Sequence, residues 1–148
     1  MYLHRTIEES IQKINGFFPV LLLTGPRQVG KTTVLQACAG KERTVVSLDT
    51  LENRSLAQSD PALFLQRYRP PLLIDEIQYA PQLFPYIKAA ADEQRQNGMF
   101  WLTGSQQFQL MKNISESLAG RVGILHLQGL SQAEKAGCPD RAPFLPDP

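Results

Sequence analysis

The segment Gly25-Pro26-Arg27-Gln28-Val29-Gly30-Lys31-Thr32 narrows what this chain can fold into more than any other. Two glycines bracket four residues, and the turn closes on Lys-Thr. The apolar run Val20 to Leu23 precedes it, and a helix pattern from Lys31 to about Ala39 follows, with Gly40 placed to close that helix. A backbone that wraps round a phosphate must point its N–H groups inward, and Gly25 and Gly30 allow the angles and close approach this takes. The helix behind the loop aims its unpaired N–H groups and positive dipole end at the same anion. Lys31 then reaches the terminal phosphates and the Thr32 hydroxyl can ligate Mg²⁺. The alternative is a glycine-rich turn with no ligand. It is disfavoured because the motif asks for a strand before and a helix after, and both patterns are present.

The remaining chain repeats the alternation. Leu3, Ile7, Ile11 and Ile14 predict an amphipathic helix over residues 2–15, with Gly16 as its stop. Val20 to Leu23 is too short for a helix and reads as a strand buried on both faces. Further strands are expected in Arg43 to Asp49, Pro70 to Glu76, Met99 to Ser105 and Arg121 to Leu130. Asp60-Pro61 marks a helix start, with Asp as N-cap and Pro at the first helical position, covering about Ala62 to Arg67. Pro81 opens another helix whose Leu83, Phe84, Ile87 and Ala91 share one apolar face; Gly98 ends that segment. Apolar strands without period-two alternation, separated by helices, predict an α/β protein with a parallel sheet covered on both sides.

Composition adds bounds. The 148 residues make one domain, and a net charge of +1 from 15 basic and 14 acidic residues gives no support to a nucleic-acid partner. No apolar run nears the ~18 residues of a membrane span, and the N-terminus has no signal-peptide pattern, so a cytoplasmic protein is expected. Cys38 and Cys138 read as free thiols. Residues 137–148 hold four of the 11 prolines and read as a tail or linker.

Asp75 and Glu76 end an apolar strand. After a phosphate loop, the first acid is expected to help hold Mg²⁺ beside Thr32 through water, and the second to orient and polarise the attacking water. The alternative is a solvated acid pair at a strand end. The Glu favours ATP hydrolysis, and the absence of an Asn-Lys-x-Asp motif disfavours GTP. Thr103 and Ser105, ending the fourth strand, are two candidates for a side chain that senses the γ-phosphate; Ser105 could equally cap the next helix. Arg121, just before the fifth strand, is a candidate arginine finger acting in cis or from a neighbouring subunit, or else a structural arginine bonded to a nearby acid or carbonyl.

The segments LLLTGPRQVGKTT, SLD, LLIDEIQYAPQLF, LTGSQQF and SLAGRV resemble a large bacterial and archaeal family of P-loop ATPases with an AAA-type domain. The resemblance spans roughly residues 5–134. It implies a three-layer P-loop NTPase core with sheet order 5-1-4-3-2, and ATP and Mg²⁺ as ligands. It implies a nucleotide-binding segment of Gly25, Pro26, Arg27, Gln28, Val29, Gly30, Lys31, Thr32 and Thr33. It implies Asp75 and Glu76 as the Walker B pair, and a sensor in the turn Thr103 to Gln106. Family members continue into a further C-terminal domain. Residues 1–134 are therefore expected to be the ATPase domain, and 135–148 a tail or the start of a linker to that region.

The expected function is Mg-dependent ATP hydrolysis coupled to a conformational change in an attached domain or an unknown protein partner. Self-association is compatible with it. The alternatives are a nucleotide-gated binding module with little hydrolysis, in DNA-associated processes or on a protein, and a small-molecule kinase.

Overall fold

In the computed structural model of the protein the described residues are 7–26, 30–105 and 108–127, the Phe108 side chain excepted. Arg27, Gln28, Val29, Gln106 and Cys138 fall outside them. The elements run α1 (Glu8–Phe17), β1 (Val20–Thr24), α2 (Lys31–Cys38), β2 (Thr44–Ser47), α3 (Leu51–Ser59), α4 (Pro61–Arg67), β3 (Leu72–Asp75), α5 (Phe84–Gln94), β4 (Phe100–Gly104), α6 (Phe108–Leu118) and β5 (Val122–His126). Two 3₁₀ turns, Ile77–Tyr79 and Pro81–Leu83, lead from β3 into α5.

The five strands form one parallel sheet in the order β2-β3-β4-β1-β5, the expected 5-1-4-3-2 read from the other edge. Every residue of β1 is buried, which is what an apolar run without alternation requires of a strand in the middle of a covered sheet. Side chains still alternate between the two faces. Val20, Leu22, Leu72, Ile74, Phe100 and Leu102 pack with Phe64, Phe84, Ile87 and Ile114 from α4, α5 and α6. Leu21, Leu23, Leu73 and Trp101 pack with Ile11, Val34 and Leu35 from α1 and α2. These are the two cores of a three-layer sandwich, and truncating one such leucine to alanine costs about 2–5 kcal/mol.

Several element ends differ from the sequence expectation for local reasons. Helix α1 runs through Gly16 to Phe17 and stops at Phe18, which is extended. Phe18 precedes Pro19, whose ring disfavours the helical conformation in the residue before it. Helix α2 stops at Cys38, with Ala39 already extended, so Gly40 is not its closing residue. Strand β2 ends at Ser47 rather than Asp49. Asp60 caps α4 as expected, its carboxylate accepting from the Leu63 N–H at 3.1 Å. The whole of α3 was not expected.

Parallel strands put the residues that follow β1, β2, β3 and β4 at one edge of the sheet. The pairings Thr24 with Gly104 and Ser47 with Asp75 bring the strand ends level there. Ligands of open parallel sheets bind at this carboxyl edge.

Candidate functional site

The cleft at the carboxyl edge has a volume of about 290 Å³ and is lined by Gly30, Lys31, Thr32, Thr33, Asp49, Asp75 and Glu76. Gly30 holds a left-handed conformation (φ 87°) as the N-cap of α2, a place where a Cβ would be strained. The N-terminus of α2 therefore opens onto the loop that begins at Gly25. Lys31 is buried, and its ammonium donates to the carbonyl oxygens of Gly25 at 3.0 Å and Pro26 at 2.8 Å. Its charge is held against those two carbonyls.

Asp75 is the meeting point. The Thr32 hydroxyl donates to its Oδ1. The Thr103 hydroxyl donates to the same oxygen at 2.6 Å, and the Ser47 hydroxyl donates to Oδ2 at 3.0 Å. Hydrogen bonds to a charged acceptor of this kind are roughly twice as strong as neutral ones. The register explains the convergence: Ser47 pairs with Asp75 across β2 and β3, and Thr103 is the next residue along β4 after Leu102, which pairs with Ile74.

Glu76 follows with a left-handed backbone (φ 62°, ψ 51°). For a residue with a Cβ this costs of order 1–3 kcal/mol and persists only when the surroundings fix it. Its N–H donates to Thr103 Oγ1 at 3.0 Å, which supplies part of that fixing. Thr103, fully buried, thus accepts from Glu76 and donates to Asp75 through one oxygen. The Glu76 carboxylate accepts from Gln78 Nε2 at 2.5 Å.

The residues present fit a hydrated magnesium ion and a polyphosphate. Mg²⁺ takes hard oxygen ligands and is usually bound through one or two carboxylates with waters and substrate phosphates. The Thr32 hydroxyl and the Asp75 carboxylate, already in contact beside a helix N-terminus, are such a donor set.

Of the expected site residues, the structure brings Gly25, Pro26, Gly30, Lys31, Thr32, Thr33, Asp75, Glu76 and Thr103 to this edge; Arg27, Gln28 and Val29 lie outside the described residues. The Ser105 hydroxyl oxygen is buried, with no hydrogen-bond partner among the described residues. Helix α6 is described from Phe108, and no capping bond from Ser105 is found among the described residues.

Arg121 is elsewhere. It precedes β5, and Val122 pairs with Val20 at the start of β1, so it sits at the amino edge of the sheet. The five residues of β1 separate it from the phosphate loop, about 16 Å at ~3.3 Å per residue. An action of Arg121 on this chain's own cleft is thereby corrected: the guanidinium cannot reach it. It is instead bidentate on Asp92 of α5, at 2.5 and 3.1 Å, and donates to the Ala119 carbonyl at 3.0 Å. That hydrogen bond holds the exposed Asp92 carboxyl below its ordinary value and raises the guanidinium.

Sequence reading missed three residues here. Ser47 and Asp49 could have been found from register alone, since β2 ends level with β3. Gln78 carries no signal beyond following Asp75-Glu76 in the chain.

A profile of the AAA domain family matches residues 18–136. Over 115 residues the chain is 42% identical to the uncharacterized protein Rv2008c of Mycobacterium tuberculosis, and equally to the uncharacterized protein Mb2031c of Mycobacterium bovis. The match takes in 76% of this chain but 26% of either relative, so the chain spans about a quarter of their length. Among solved structures, a DNA replication initiation factor superposes with TM-score 0.52 at 13% identity, over 82% of this chain and 44% of that one. The DnaC helicase loader superposes with TM-score 0.50 at 14% identity, over 86% of this chain and 94% of that one. At such identity the likeness is one of fold.

Proposed function

The chain belongs to the AAA domain family of P-loop ATPases, and on that footing we propose that it binds Mg·ATP and hydrolyses it, passing the change at the cleft to an attached region or a protein partner. The observation that carries this reading is the convergence of Thr32, Thr103 and Ser47 on Asp75 in the cleft that Glu76 also lines. A structural acid pair at a strand end would need no such gathering of donors.

In this reading the loop from Gly25 to Thr33 wraps the phosphates, and Lys31 exchanges the carbonyls of Gly25 and Pro26 for phosphate oxygens. Thr32 and Asp75 would hold Mg²⁺, which neutralises phosphate charge when bound. Asp75 is aimed by its three hydroxyl donors. Glu76, turned into the cleft by its left-handed backbone, orients and polarises the attacking water and takes up its proton. Thr103 spends its oxygen on Asp75 and Glu76 and so positions both acids. That leaves the Ser105 hydroxyl, without a partner among the described residues, as the sensor. Arg121, bonded to Asp92 and to the Ala119 carbonyl, fits the structural alternative, and a finger role is left to it only in trans, on the cleft of a second copy.

Calorimetric titration with ATP tests the binding half: saturable, magnesium-dependent heat in the wild type, lost in Lys31→Ala. Phosphate release tests the chemical half. Glu76→Gln should bind Mg·ATP and lose turnover by about 10²-fold or more. Wild-type binding with no phosphate release would establish a nucleotide-gated binding module instead.

A further inference from the structure

A general base must be aimed as well as present, and Glu76 carries a flexible side chain on a turn. We propose that Gln78 is a positioning residue for Glu76, gripping its carboxylate from behind the cleft; this rests on the hydrolytic reading given above. Gln78 Nε2 donates to Glu76 Oε2 at 2.5 Å. Glu76 lines the cleft while Gln78 is not part of that lining. The grip therefore comes from the protein side, and no described residue donates to Oε1, which is left for water. Since an ionised carboxylate only accepts, the amide must face it with its NH₂ group.

The amide oxygen then points the other way. Gln78 Oε1 is buried without a partner among the described residues. It lies against the end of β4: a Cβ built on Gly104 would come within 3.1 Å of it, 2.8 Å of Leu110 Cδ2 and 3.3 Å of Ile77 Cγ2. A methyl group there would crowd the carboxamide and press on Leu110, so both would have to shift. An unsatisfied buried oxygen is unfavourable, so the seat is not explained by stability; it is explained by what the other end of the amide does.

Glu76 is thus held at both ends from the tip of β4. Thr103 takes its N–H, and Gln78, seated over Gly104, takes its carboxylate. The turn that carries Gln78 is clamped in its turn by α3. Gln58 Nε2 donates to the Tyr79 carbonyl at 2.6 Å, and the Arg54 guanidinium stacks on the Tyr79 ring at 3.9 Å while donating to the Leu48 carbonyl at 2.9 Å. Residue chemistry favours glutamine at this place. Glutamate would set two carboxylates against each other, lysine would neutralise the base, and asparagine is one methylene short of reaching it from the same seat.

Two measurements on the whole chain test the proposal. In steady-state ATP turnover, Gln78→Ala should lower kcat by about ten- to a hundredfold, as misaiming does, and leave KM and the calorimetric Kd for Mg·ATP within about twofold. Gln78→Glu should fall further. In ¹⁵N–¹H spectra the side-chain NH₂ pair that disappears in Gln78→Ala should lie away from ordinary glutamine positions, and Glu76→Ala should return it to them. Gly104→Ala, if it folds, should shift the same pair and lower kcat alike. Wild-type kcat in Gln78→Ala beside an inert Glu76→Gln would overturn the proposal and leave the hydrolytic reading intact. A wild type that binds Mg·ATP without turnover would overturn the hydrolytic reading and this positioning role with it. An amide pair that ignores Glu76→Ala would overturn the grip itself.

Discussion

The two edges of one sheet have been put to opposite uses. At the carboxyl edge polar groups converge on a few atoms: three hydroxyls on Asp75, a lysine on its own loop, and a strained Glu76. At the amino edge polar groups are distributed and finished. The Arg43 guanidinium stacks on the Trp101 ring at 3.9 Å and donates to the Gly98 carbonyl at 2.9 Å. The Trp101 indole N–H donates to Asn15 at 2.8 Å, and Arg121 holds Asp92. Burial pushes the Arg43 guanidinium down to about 10, so it stays charged at neutral pH. The lesson is that the same strands open a polar cleft at one end and are braced at the other, because parallel direction gathers the strand exits on one side.

The sharpest way to break this comparison is Thr103→Val at the carboxyl edge. The isosteric change strips a donor from Asp75 and an acceptor from Glu76. Turnover should fall about tenfold or more, and stability by about 1–3 kcal/mol as those groups lose their partner, read by phosphate release and denaturant unfolding. Trp101→Phe tests the amino edge. It removes the bond to Asn15 and weakens the stacking of Arg43, for a loss of about 1–2 kcal/mol with calorimetric ATP affinity unchanged. A fall in affinity would show the edges to be coupled. The smallest effect is expected at Asp92. Its carboxyl is held below the ordinary value of 3.8 by Arg121, so the pair's contribution is full above that pH and fades as pH falls through the lowered value. The melting-temperature gap between wild type and Asp92→Asn should close on acidification, and also narrow with salt because both groups are exposed.

Much of the fold is legible in the residues. Strands buried on both faces announce themselves as apolar runs, and their alternation with helices implies the parallel sheet. Helix α3 was illegible because only Ala57 in it is buried; its place is set by side-chain bonds to β2 and to the turn after Glu76, which are tertiary. Gly16 misled because glycine permits a stop without compelling one, whereas Pro19 acts on its neighbour. That Lys31, Thr32, Asp75 and Glu76 would meet in one cleft was legible, because a loop after β1 and acids at the end of β3 leave a parallel sheet at the same edge. Which of Thr103 and Ser105 has its hydroxyl engaged was not, since both are hydroxyls near one strand end and only coordinates show that Thr103 bonds Asp75 and Glu76. The location of Arg121 was legible in principle: a residue ahead of a parallel strand lies across the sheet from residues that follow one.

Lys31, folded onto the Gly25 and Pro26 carbonyls, has a consequence for any nucleotide titration. The loop carries an intramolecular competitor for its own cation, always present at the concentration a covalent tether imposes. The dissociation constant seen from outside is then the intrinsic one divided by the fraction of molecules in which the ammonium has let go. Substitutions that loosen that self-association, without touching the ligand, would tighten apparent affinity.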